Sequence, residues 1–147
     1  MRALRAILVL FVFLATLCGD RSPSIAAGGW YRVIVNPANP MDELDRRFLA
    51  EAFLKKSTRW PNDDLVRPVD LNPGSAVRRA FSDDVVKKSV STVKSYWQQM
   101  VFSGRGVPPP EMASEDEVVS FVLKNRGAVG YVSTSTNVLG AKILPLR

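Results

Sequence analysis

Ser114-Glu-Asp-Glu-Val-Val-Ser-Phe-Val-Leu-Lys-Asn-Arg-Gly-Ala-Val-Gly-Tyr-Val-Ser133 carries the clearest local signals in the chain. Ser114 and Glu117 form an S-x-x-E capping box. Glu115 and Asp116 suit the positive end of a helix dipole, Lys124 and Arg126 the negative end, and Gly127 supplies the stop. Ala128-Val-Gly-Tyr-Val132 comes next as a short, almost wholly apolar run, which predicts a buried strand. A helix feeding such a strand points to a layered α/β fold.

The rest of the chain extends this pattern in both directions. Ser133-Thr-Ser-Thr-Asn137 reads as a loop and Lys142–Leu146 as a short terminal strand. Upstream, Val93, Tyr96, Trp97, Met100 and Val101 recur at helical spacing, predicting a helix over about 92–102 with that stripe in the core and Gly104 as its end. Ser103-Gly-Arg-Gly-Val-Pro-Pro-Pro110 is an extended, polyproline-like connection. Ala76–Phe81 reads as a short helix capped by Ser75, with Val77, Ala80 and Phe81 inward and Arg78 and Arg79 outward. Leu65-Val-Arg-Pro-Val-Asp70 predicts a strand in which Pro68 marks an edge or a bulge. Asp42 is read as the cap of a helix through Phe53, with Leu44, Phe48, Leu49, Ala52 and Phe53 on one stripe. Tyr31-Arg-Val-Ile-Val35 is the first strand, closed by Asn36-Pro-Ala-Asn-Pro40. The order of elements predicts a small three-layer α/β domain with a mixed or mostly parallel sheet.

At the N-terminus, Arg2 and Arg5 precede the apolar run Ala6–Leu17, and small residues gather at Ser24-Ile-Ala-Ala27. This is the pattern of a cleaved secretory signal over 1–26, leaving a single domain over 27–147 in the periplasm or outside the cell. The run is shorter than the ~20 residues of a spanning helix, so no permanent membrane span is expected after cleavage. Leu17, before Cys18, lacks the small side chain of a lipid-anchoring site. Loss of Arg2, Arg5, Arg21 and Asp20 with the signal lowers the net charge from +6 to +4.

Composition removes many function classes. The 147 residues are 46% hydrophobic and 23% charged, as in a folded protein, and include no histidine and one cysteine. Histidine triads, histidine metal sites, cysteine zinc knuckles and intrachain disulfides are therefore excluded. Neither a phosphate-binding P-loop nor a dinucleotide turn is present. Lys55-Lys56 and Lys87-Lys88 have no interleaved aromatics, so a nucleic-acid surface is not expected. The pairs Asp63-Asp64 and Asp83-Asp84 lie beside turn signals and read as caps and solvated groups. No nucleophile and base set, cofactor site or metal site is expected, and the chain reads as a non-enzyme. Two places suit an anion. Gly74-Ser75 enters a helix whose first N–H groups are free, with Arg78 a turn further on; the ordinary role of Ser75 is to cap its own helix. Gly104-Arg105-Gly106 presents a guanidinium on a flexible support, or else is simply a helix stop with a surface arginine. Ser133–Thr136 come after a central strand, where α/β folds often place ligands, though hydroxyl clusters are also ordinary loop residues.

Leu49-Ala-Glu-Ala-Phe-Leu-Lys-Lys-Ser-Thr-Arg-Trp60, Val66-Arg-Pro-Val-Asp70, Gly74-Ser75…Phe81 and Gly127-Ala-Val-Gly-Tyr-Val-Ser133 resemble, in order, blocks of phosphate ABC transporter substrate-binding proteins. The resemblance runs from about Tyr31 onward and implies one lobe of a two-lobed, type 2 periplasmic-binding-protein fold. It implies phosphate or a related small anion as ligand, gripped by a turn rich in Arg, Asp, Gly, Ser and Thr, of which Gly74-Ser75 is the matching step. Leu71 stands where that turn has arginine, Asn72 near its acidic position, and Ala76-Val77 where Gly-Thr often comes next. Gly74, Ser75, Arg78 and Arg105 are thus the candidate ligand residues, the two arginines coming from the residue reading alone. The expected function is weak anion binding near Ser75. On this reading a second copy, as a homodimer, could replace the missing lobe; the alternative is a non-catalytic interaction module that keeps the fold without the ligand and meets a protein partner through the Arg105–Pro110 loop or exposed helix faces.

Overall fold

The computed structural model describes residues 29–147, so the signal reading over 1–26 and Cys18 lie outside the described residues. In chain order the elements are β1 (Tyr31–Val35), α1 (Arg46–Phe53), β2 (Arg67–Pro68), β3 (Asp70–Leu71), α2 (Ala76–Phe81), a π-helical turn (Ser82–Val86), α3 (Val90–Phe102), β4 (Glu111–Met112), α4 (Glu115–Lys124), β5 (Ala128–Ser133) and β6 (Lys142–Leu144). Four strands form one sheet in the order β2-β5-β1-β6. β1 runs antiparallel to β5 and β6, whereas β2 runs parallel to β5, so the sheet is mixed.

Alternation along β5 sets the layers. A Cβ on Gly130 would lie 2.7 Å from Val118 and 2.9 Å from Val69, so glycine is what lets α4 approach this face. Tyr131 points the other way, stacks on Phe81 of α2 with ring centroids 3.9 Å apart, and meets Phe53 of α1 at 5.8 Å. Helices therefore cover both faces, which is why Ala128–Val132 carry no exposed side chain. Ile34, Val35, Val129 and Val132 are wholly buried between them, each contributing about 1.5–3 kcal/mol of apolar transfer.

Several boundaries differ from the sequence reading. Helix α1 is capped by Asp45, whose carboxylate accepts the Phe48 N–H at 2.9 Å. Leu44 leaves the expected stripe because its backbone is bonded to the C-terminal segment, at Pro145 O and Arg147 N. The expected 65–70 strand is two pieces. Arg67–Pro68 lies at the sheet edge, where a missing N–H is tolerated. Asp70–Leu71 crosses to a second, two-stranded sheet with β4, an element with no periodicity of its own. Helix α3 begins at Val90 under a Ser89 cap, and only Val93 and Trp97 of the predicted stripe are buried. Val101 is half exposed, while Met100 in the same turn packs against the core.

Candidate functional site

The turn Leu71–Ser75 leaves β3 and is organised by Asn72. Its side-chain amide donates to Ala113 O at 3.1 Å, and its side-chain oxygen accepts the Gly74 N–H at 3.0 Å. The Ser75 N–H closes the turn on Asn72 O at 3.1 Å. Ser75 caps α2, its hydroxyl oxygen accepting the Arg78 N–H at 3.2 Å. That bond uses the oxygen as acceptor and leaves the hydroxyl hydrogen able to donate. The N–H groups of Ala76 and Val77 have no partner within the helix. Gly74 and Ala76 are exposed, so this entrance is open to solvent.

Arg78 and Arg79 behave differently from the outward pair expected. Arg79 folds back over the turn and donates to Gly74 O at 3.1 Å, placing a guanidinium beside the exposed helix start. Arg78 is 5% exposed. Its guanidinium meets Asp70 at 3.1 Å and Glu111 at 2.6 Å, and also donates to Leu71 O. The correction has a simple cause: a helix of six residues is less than two turns long, so its inward face is set by what lies beneath it rather than by a repeating stripe. Beneath it lies Asp70, which also accepts the Tyr131 hydroxyl and the Leu71 N–H. Burial pushes the Asp70 carboxyl above its ordinary value, against the pull of Arg78 and Tyr131. The Tyr131 hydroxyl is likewise pushed well up by burial and by the neighbouring Asp70 charge.

Arg105 sits in the turn after α3, where Gly104 adopts φ +68° and the Arg105 N–H bonds to Met100 O at 2.9 Å. Its exposed side chain makes no contact with Gly74, Ser75 or Arg78, so the structure joins three of the four candidate residues and leaves Arg105 apart. The hydroxyl loop after β5 is engaged from within the chain. Glu115 accepts the Ser133 N–H at 2.7 Å and the Thr136 hydroxyl. Burial raises the Glu115 carboxyl, but these hydrogen bonds outweigh it and hold the group below its ordinary value. Arg79 and Glu115 are the residues that sequence reasoning misses. An arginine four residues after a Ser cap carries no pattern of its own, and the pairing of Glu115 with Ser133 spans a whole helix and strand. Among the described residues no three acidic or sulfur side chains converge to hold a metal ion, and no helix is long and apolar enough to cross a membrane.

This architecture occurs in solved proteins. An ABC-type phosphate transport receptor from Vibrio cholerae matches 80% of this chain and 46% of its own, with TM-score 0.61 and 20% identity. The chain shares the fold of about half of such a receptor. A Clostridium perfringens protein assigned as a phosphate ABC transporter substrate-binding protein, solved with bound phosphate, matches at TM-score 0.62 and 20% identity over 80% of this chain and 44% of its own. PstS from Borrelia burgdorferi matches at 0.61 and 14% over 80% and 47%. The chain thus spans less than half the length of each of these receptors, in keeping with the resemblance to one lobe. No family model and no curated protein matches it.

Proposed function

We propose that the protein is a non-enzymatic, solute-binding-like domain over 27–147 that is released outside the cytoplasm after loss of its leader and takes phosphate or a related oxyanion weakly at the entrance of α2. One observation carries this reading: the open turn at Gly74-Ser75 combines two helix N–H groups without a partner inside the helix, a hydroxyl able to donate and the folded-back Arg79 guanidinium. Each suits an oxyanion, and the arginine adds a charge-assisted bond. Arg78 serves as the floor that fixes the turn, and Arg105 becomes a ligand only if its loop closes over the entrance. Weak affinity is the consequence of exposure, because water and salt screen an open site.

Calorimetric titration of the purified protein with phosphate, at low and moderate salt, tests this reading against sulfate and a neutral solute. Saturable, salt-sensitive heat that is reduced in Ser75→Ala and Arg79→Ala is expected. Absence of heat and of thermal stabilisation at millimolar phosphate would overturn it. That outcome favours the second reading, an interaction module, for which Phe102 and Val107, 97% and 62% exposed on either side of Arg105, are the supporting observation.

A further inference from the structure

A cavity of about 730 Å³ opens between α3 and the segment leading into β4, within the size range of small-molecule sites. Its walls are apolar, with Pro73, Val90, Trp97, Val101 and Pro108 lining it and Phe102 at its rim. Three charged side chains also line it: Arg78, Lys94 and Glu111. Neither Gly74 nor Ser75 does, so a ligand held in this cavity and phosphate at the α2 entrance touch different groups, with Arg78 beneath both.

The two partners of Arg78 differ in kind. Asp70 is buried, its side chain 10% exposed, and is held by Tyr131 and the Leu71 N–H. Glu111 reaches the same guanidinium from the other side with its side chain 45% exposed. A half-exposed carboxylate gives up an ion pair at little cost because water takes it back. Lys94 has no ion-pair partner among the described residues and adds positive charge to the same lining. The arrangement is a pre-oriented guanidinium, a displaceable carboxylate over it and an apolar wall beside it.

We propose that this cavity binds a small organic anion with an aryl or alkyl body. The anionic head takes the place of Glu111 on Arg78, and the body covers the exposed Val101 and Phe102. A bare inorganic anion gains only the exchange of one carboxylate for another, whereas an apolar body adds burial that the exchange alone lacks. Glu111 is then a built-in competitor, so removing its charge tightens binding.

Calorimetry with 3-phenylpropionate as probe tests this on the purified protein and on Glu111→Gln, Phe102→Ser and Arg79→Ala, each first shown by circular dichroism to be folded. The neutral 3-phenylpropanol and inorganic phosphate are the controls. Saturable binding of the acid, tighter than either control, is expected. Glu111→Gln should tighten it about fivefold, the upper end for an exposed ion pair. Phe102→Ser should weaken it about fivefold through lost apolar contact, and Arg79→Ala, which removes the exposed guanidinium beside the α2 entrance, should leave it unchanged. Equal binding of acid and alcohol, an unchanged or weaker affinity in Glu111→Gln, or no binding by the wild type would each overturn the proposal. Loss confined to Arg79→Ala would also overturn it, by moving the anion to the α2 entrance.

Discussion

Arg78 shows how one side chain can carry two jobs. It closes α2 onto the β3–β4 sheet and it presents a guanidinium edge to the cavity, and both depend on Asp70 behind it. Removing one member of a buried pair strands the other, so Arg78→Met should destabilise the fold by about 3–5 kcal/mol in denaturant unfolding. Ser75→Ala should cost about 0.5–2 kcal/mol, the ordinary range for a lost N-cap. Gly130 is a second test at this scale. The nearest atoms to its missing Cβ belong to Val118 and Val69, both packed in the core, so Gly130→Ala should lower stability by about 1–3 kcal/mol through overpacking. Ser75 as a cap was legible because the cap and the bonded N–H lie three residues apart. The direction of Arg78 was not, because Asp70 and Glu111 reach it only after two strands have paired.

At the scale of elements, local rules worked where an element is long and self-contained. Helix α4 begins at its capping box, with Ser114 accepting the Glu117 N–H, and β5 comes after it as read. They failed where an element borrows its partner. Glu111–Met112 is a strand only because Asp70 N–H bonds to Pro110 O and Asn72 N–H to Met112 O. The π-helical turn after α2 ends at Lys87 in a left-handed conformation, with no glycine to announce it. The start of α4 and the loop after β5 are joined by Glu115, and this link has a pH signature. Because its carboxyl is held below the ordinary value in the folded protein, the stability it contributes is present above the ordinary carboxylate range and is lost as the pH falls through the folded value. Thermal unfolding from neutral pH down to about pH 3 should therefore show wild type more stable than Glu115→Gln at neutral pH, with the difference shrinking toward zero in acid.

For the whole molecule, the sheet order β2-β5-β1-β6 places the first strand read from the sequence beside the last ones, and helices on both faces close the core. Binding of phosphate at the α2 entrance would stabilise this unit by mass action, so millimolar phosphate should raise the midpoint of thermal unfolding, and added salt should reduce that shift. Helix α4 followed by strand β5, the caps at Ser75 and Ser114, and the buried character of Ala128–Val132 were determined by the sequence itself, because each depends on neighbours within a few residues. Only the tertiary structure decided the antiparallel run of β1 against β5, the split of 65–70 into two sheets, the inward turn of Arg78 and the engagement of Ser133 and Thr136 by Glu115. These are pairings between residues far apart in the chain, or between charges and their burial, and the energy that selects them arises when separate layers meet.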